Sequence, residues 1–318
     1  MFKYTIKRVL QSLGTVLIVV SIVSLLLSLM PTDYYFTEEQ LIKLTDKQKE
    51  DQLAAAGLLD SPIVQLFRFL ENLILKFDLG TSRRIQAGVP VIKVIGDKFA
   101  ISMRLGCIAL VISLILGVPM GILQARHKDH LFDHIGAAYT IFVNAVPRLV
   151  SYSLVLVIGV KLFGLPSMYS TRHAARSSIL PIICLAMGST ASYALWMRRY
   201  MVDELTKDYI KLARIKGLST RQIMFKHVLR NAFVPMVQNL PTSFMLTIGG
   251  SLLVERFFSI PGMGPLLTDS ITRYDLNMVR GLVLLYALLG IFGLFLGDVL
   301  MTVCDPRIRL TGKGGDTR

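Results

Sequence analysis

"ARIKGLSTRQIMFKHVLRNA" (residues 213–232) lies between two long apolar runs and carries Arg214, Lys216, Arg221, Lys226 and Arg230 with no acid at all. Its punctuation predicts two helices joined by an elbow. Over 203–216, Asp203 and Glu204 fall in the first turn and Arg214 and Lys216 in the last, the order that complements a helix macrodipole. Gly217 stands where a left-handed C-terminal cap belongs. Ser219 and Gln222 have the spacing of a capping box, which opens a second helix at once. There Phe225, Val228, Leu229 and Ala232 recur at i, i+3, i+4 and i+7 as one apolar face, with Arg221, Lys226 and Arg230 off it. An elbow joined stiffly to a membrane helix is a lever: a partner that moves it moves the helix. Local chemistry alone leaves an alternative, a basic amphipathic helix lying on anionic lipid.

Outward from the elbow, the chain is built for a bilayer. Hydrophobic residues make up 53% of the 318 positions and the mean hydropathy is +0.57, against roughly 45–50% apolar usage in soluble domains. A spanning helix needs about 20 mostly apolar residues. Six segments satisfy this. Residues 9–30, 105–123, 177–197 and 231–254 hold no charge; 135–160 holds Arg148 alone and 281–304 holds Asp298 alone. Lys3, Lys7 and Arg8 precede the first run, but its length and the lack of an A-x-A-like site predict a retained span rather than a cleaved signal. Cys107, Cys184 and Cys304 fall inside spans without C-x-x-C spacing and read as buried packing residues.

The net charge of +14 would suit a nucleic-acid partner, but its distribution argues for topology instead. The N-terminus, 124–134, 198–230 and the tail after Cys304 together hold eighteen Lys and Arg, whereas 161–176 and 255–280 hold three each. The positive-inside rule then puts the basic segments and both termini in the cytoplasm. The domain division expected is 1–30, cytoplasmic end and first span; 31–104, an extracytoplasmic segment; and 105–318, a five-helix core with the loop 203–230. Within the outer segment, 37–60 is mixed in charge and reads as a surface helix. From Ser61, "SPIVQLFRFLENLILKF" spaces apolar residues for a helix along the membrane interface, and 78–91 is a turn-rich loop. In "FSIPGMGPLL" (258–267) the Pro and Gly residues argue against regular helix.

With those residues in view, "DYIKLARIKGLSTRQIMFKHVLRNAFVP" (208–235) resembles the cytoplasmic EAA-type loop of ATP-binding-cassette importer permeases. The family pattern is Glu-Ala-Ala, three residues, Gly, then hydrophobic-x-Leu-Pro. This chain has Lys211, Leu212 and Ala213, then Gly217, and ends His227-x-Leu229-Arg230. The Glu and the final Pro are absent, a departure similar to the dipeptide/oligopeptide/nickel branch. Residues 4–31, 77–95, 254–267 and "DPRIRL" (305–310) resemble the B-type permease of that branch; 37–60 is not covered. The resemblance implies an all-α membrane protein of the type I importer permease fold, with six transmembrane helices. It implies a coupling loop in which Asp208, Lys211, Ala213, Arg214, Lys216, Gly217, Ser219 and Gln222 face an ATPase. It also implies a second permease, two ATPase subunits carrying ATP and Mg, an extracytoplasmic binding protein, and import of di- or oligopeptides across a bacterial inner or plasma membrane. A nickel or other small-solute importer of the same branch, or an ion-coupled secondary transporter, is the alternative.

Arg148 follows Asn144 and Pro147 near the middle of the third span, where a cation is costly and functional by default. The three residues are candidates for the translocation pathway, with Arg148 attracting a peptide's carboxylate. The structural alternative is an Arg satisfied by carbonyls freed at Pro147 or by a partner's acid. His127, His130 and His134 in "RHKDHLFDH" have the spacing of a metal face, but the stretch reads as a solvated loop helix. Gly117/Gly121 and Gly293/Gly297 permit close helix approach, within the chain or between subunits. No phosphate-binding loop, H-E-x-x-H or G-x-S-x-G pattern occurs. The chain is therefore expected to be a transport subunit, not an enzyme, with no cofactor of its own.

Overall fold

The computed structural model describes residues 2–30, 32–36, 38–248 and 251–304. The described residues are mainly helical and contain no strand, only an isolated bridge between Thr81 and Pro90. In chain order the helices are α1 (Phe2–Ser28), α2 (Glu38–Lys43), α3 (Asp46–Ala55), α4 (Pro62–Lys76), α5 (Val91–Arg126), α6 (Leu131–Ala145), α7 (Arg148–Phe163), α8 (Ala174–Ser177), α9 (Ile179–Leu205), α10 (Asp208–Ile215), α11 (Thr220–Gln222), α12 (Leu229–Ile248), α13 (Leu252–Phe257), α14 (Met263–Thr272) and α15 (Leu276–Cys304). The chain divides into two compact units, one of Met1–Asp97 with Leu266–Leu288 and the other of Lys98–Pro265 with Leu289–Arg318.

Among the described residues, four stretches are long and apolar enough to cross a bilayer: Leu10–Ser28, Val91–Arg126, Ala174–Leu205 and Leu276–Met301. The expected third span, 135–160, is not one rod. It breaks into α6 and α7, bent by 113°. Pro147 is the cause: it cannot donate to the helix, and its ring drives Val146 to extended backbone (φ −79°, ψ 130°). The expected fifth span begins in α12, whose 20 residues include Pro235 and Pro241; Gln238, Thr242, Ser243 and Thr247 dilute its apolar character, and residues 249–250 lie outside those described.

Other expectations shift by a turn or more. The second span starts well before Leu105, since α5 begins at Val91 and carries Arg104 inside a 36-residue helix. The single outer helix expected over 37–60 is two, α2 and α3, because Thr45 and Gln48 form a capping box that restarts the helix. Gly264 and Pro265 do not forbid helix; they occupy the first turn of α14, where a proline's missing N–H has no helical carbonyl to bond. Cys304 is exposed rather than buried, while Cys184 is buried.

In the second unit, close helix approach is set by glycine. A Cβ on Gly117 would meet the Thr190 carbonyl oxygen at 2.7 Å, and one on Gly121 would meet that of Ala194 at 2.5 Å. The pair therefore seats α5 on α9 within the chain. Gly293 and Gly297 seat α15 on α12 in the same way, against Thr242 and Gln238. Two buried clusters follow. One gathers Tyr193, Met197 and Met201 of α9 with Ile210, Ala213, Ile223, Met224, Val228 and Ala232. The other gathers Leu105, Tyr152, Leu180, Val254, Phe258 and Ile260.

Candidate functional site

The basic elbow is a closed piece of structure. Asp203 and Glu204 do not begin it; they end α9, and Lys207 is the N-cap of α10 with Asp208 in its first turn. Asp208 and Lys211 pair at 2.8 Å on the exposed side, a contact worth little by itself. At the far end Gly217 sits at φ +79°. The Leu218 N–H donates to the Ala213 carbonyl (3.2 Å) and the Gly217 N–H to that of Arg214 (3.0 Å). This is a Schellman cap, the left-handed glycine reversing the chain while it satisfies the last carbonyls. Ser219 and Gln222 then form the expected capping box, each side chain bonded to the other's backbone N–H.

The second helix departs from a regular pitch. Residues Ile223–Val228 form a π-helical turn, with the Leu229 N–H donating to the Met224 carbonyl, before α12 continues. The wider turn rotates the apolar face. Ile223, Met224, Val228 and Ala232 are buried, whereas Phe225, expected on that face, is 53% exposed. Periodicity at 3.6 residues cannot register such a turn, which often marks a functional site. On α10, Ile210 and Ala213 are buried against α9 and the π turn. Leu212 and Ile215, on the outer side, are 52% and 82% exposed. The elbow thus holds itself rigid with one face and offers an apolar edge with the other.

A hydrogen-bond network that sequence spacing did not reveal ties this elbow to the helices on either side. The Tyr209 hydroxyl donates to Glu204 Oε2 (2.5 Å) and accepts from Asn231 Nδ2 (2.9 Å). Lys207 Nζ pairs with Glu204 Oε1 at 2.5 Å. The end of α9, the start of α10 and the start of α12 therefore share one phenol. Burial, then the bond to Glu204, pushes the Tyr209 pKa up. Asp133 was equally hidden. Instead of lying in a solvated loop, it is buried in the first turn of α6 and bidentate to Arg198 of α9, with Oδ1 2.5 Å from Nε and Oδ2 2.6 Å from Nη2.

The three pathway candidates meet at the break between α6 and α7. Asn144 is in the last turn of α6, and its Nδ2 donates to the Thr140 carbonyl (2.8 Å). Pro147 is the N-cap of α7 and Arg148 its first residue, so the cation belongs to a helix start and not to the middle of a rod. Asn144 and Arg148 line a cavity of about 410 Å³; Pro147 shapes the break without lining it. The opposite wall comes from α9 and α12, with Ser189 and Ser243 among its residues.

Three comparisons bear on this architecture. The family described as binding-protein-dependent transport system inner membrane component matches residues 117–310. The oligopeptide transport system permease protein AmiC of Streptococcus pneumoniae is 39% identical over 212 residues, 66% of this chain; the matched stretch spans only 42% of AmiC's length. The dipeptide transport system permease protein DppB of Bacillus subtilis is 32% identical over 317 residues, covering 99% of this chain and 100% of that one. Among solved structures, an inward-facing form of the MetNI methionine transporter superposes with a TM-score of 0.56 at 16% identity, over 67% of this chain and 97% of that chain. That likeness concerns the fold.

Proposed function

We infer the function from one premise: this chain belongs to the family of binding-protein-dependent transport system inner membrane components. It is a multi-pass membrane protein and a transport component rather than an enzyme. We propose that it is the permease subunit of an ATP-driven importer of di- or oligopeptides. It would pair with a second permease to enclose the pathway, receive peptide from an extracytoplasmic binding protein, and take its drive from two ATPase subunits that carry ATP and Mg. Both termini and the elbow 203–230 would face the cytoplasm of a bacterial inner or plasma membrane, as the basic residues favour.

The observation that carries this reading is the rigid, capped elbow with an exposed apolar edge. Its buried face merges with the membrane helices through Ile210, Ala213 and Val228, so a push on the elbow is handed on rather than absorbed. Leu212 and Ile215, left outside, are the residues a soluble partner would cover, with Asp208, Lys211, Arg214 and Lys216 as a polar rim. Ser219, Gln222 and Gly217 hold the shape. The test is co-purification with an ATPase subunit. The double substitution L212D/I215D, at positions too exposed to unfold the chain, should lower ATPase recovery about tenfold or more, the effect of removing an interface hot spot. Undiminished recovery would overturn docking at this edge.

A further inference from the structure

We propose that the cavity at the start of α7 is a transit site for the C-terminal carboxylate of the transported peptide, with Arg148 as its receptor; this rests on the peptide-importer reading above. Three independent features converge there. First, among the described residues Arg148 is the single charged one in the cavity wall, and none there is an acid. Among the described residues it makes neither an ion pair nor a hydrogen bond. Second, Ser151, one turn on, is 2% exposed, lines the same cavity, and its Oγ has no hydrogen-bond partner. A buried hydroxyl without a partner is costly, and an arriving oxygen would satisfy it. Third, α7 is a 16-residue helix with no capping side chain at Pro147. The Val150 and Ser151 N–H groups bond the Pro147 carbonyl (2.9 and 3.2 Å), while those of Arg148 and Leu149 have no helical carbonyl to bond. A helix start of this kind adds positive potential.

A guanidinium, an unpaired hydroxyl and a bare helix start form an anion site, and the peptide cargo proposed above supplies one anion that never varies. Peptides of different sequence share only their main chain and termini. A pathway serving many of them must recognise what they have in common, and the planar fork of Arg matches a carboxylate. The cavity's size is that of small-ligand pockets, about 300–1,000 Å³. The nearby hydroxyls of Ser189, Ser243 and Thr247 can bond the peptide's backbone without reading side chains.

The site can be read directly on the assembled transporter in nanodiscs. Phenylglyoxal modifies arginine guanidinium groups, and mass spectrometry follows Arg148. Trialanine should slow that modification severalfold, while trialanine amide at the same concentration should leave it unchanged. Equal protection by both, or by neither, would overturn the proposal; the last result is also what a partner-subunit acid locked onto Arg148 would give. In proteoliposomes, ATP-driven uptake of trialanine should fall about tenfold in R148Q, the loss of one hydrogen-bonded charge pair, and recover only in part in R148K, which restores the charge without the planar fork. Equal uptake by wild type and R148Q would also overturn it. Wild type that takes up no peptide would instead count against the importer reading, with the protection experiment still judging the site.

Discussion

The elbow at Gly217 and the loop ends held by Asp275 and Glu255 are both closed by hydrogen bonds, yet they are held by opposite means. The elbow is stitched locally: each cap and box joins residues within five positions of each other. The loop ends are knotted at a distance. In the first unit Asp275, fully buried, accepts through Oδ2 from the Ser82 hydroxyl (2.6 Å) and from the N–H groups of Arg83, Arg84 and Ile85 (3.1, 3.0 and 3.1 Å). In the second unit Glu255 accepts from the Ser102 hydroxyl (2.7 Å) and the Gly264 N–H (2.8 Å), and Ser102 Oγ in turn accepts from the Met263 N–H (2.9 Å). Burial pushes the Glu255 carboxyl up in pKa. Local stitching keeps the elbow's shape wherever the elbow goes as a piece; a buried carboxylate with several donors ties together segments far apart in the chain. Under the importer reading, a lever that moves whole and anchors that stay fixed call for that difference.

The largest effect should come from the anchors. Asp275→Ala removes a charged acceptor from the four donors on its Oδ2 and from the Met278 N–H on its Oδ1, and a hydrogen bond to a charge contributes about 1.5–3 kcal/mol net. Thermal unfolding of the purified chain in detergent should show a loss of at least about 3 kcal/mol. A loss near that of an ordinary surface substitution would mean that water replaces the carboxylate, and that the loop 81–90 is not anchored as described.

The same substitution made in both regions sharpens the comparison further. A methyl on Gly262 would meet Glu255 Oε2 at 2.5 Å and Ser102 Oγ at 2.6 Å, whereas one on Gly217 would meet nothing within 4 Å. Gly262→Ala must therefore displace a buried knot, an overpacking cost of about 1–3 kcal/mol. Gly217→Ala costs only the left-handed backbone, about 1 kcal/mol. Their unfolding midpoints, measured side by side, should fall in that order. The reverse order would show that the elbow, not the loop, is the stiffer element.

This asymmetry also explains what the sequence made legible. Gly217, Ser219 and Gln222 announce themselves because their partners are near neighbours and their spacing is the signal. The apolar runs announce the membrane helices because hydropathy is a local average. Local pattern shows Asp275 at most as a cap of α15, through the Met278 N–H, and does not mark it or Glu255 as anchors: the donors to Asp275 Oδ2 lie some 190 residues away. Nor does local pattern mark Asp133, whose partner Arg198 lies on another helix. The break at Pro147 was visible as a proline, but proline inside a membrane helix is compatible with a mild kink as well as with a 113° turn. The π turn shifted Phe225 off its face because helical periodicity assumes a pitch that the chain does not keep there.

Tyr209 is where the two strategies meet, since it belongs to the elbow but bonds across 22 positions to Asn231. Tyr209→Phe keeps the ring and deletes two hydrogen bonds at a half-exposed site, so stability should fall by only about 0.5–1.5 kcal/mol. The raised pKa fixes the pH behaviour. An acid whose folded pKa is raised stabilises the fold below its unfolded value and loses that contribution only as pH climbs through the folded one. For Tyr209 that window lies above its ordinary value of 10.0, so the difference between wild type and variant should be flat from about pH 6 to 9. Under the importer reading the mechanical effect should exceed the thermodynamic one. Without the shared phenol, α10 can shift while α9 and α12 stay behind. Peptide delivered per ATP hydrolysed, measured in proteoliposomes, should then drop while ATP hydrolysis itself persists. An unchanged ratio would mean that the buried face at Ile210 and Val228 carries the force alone.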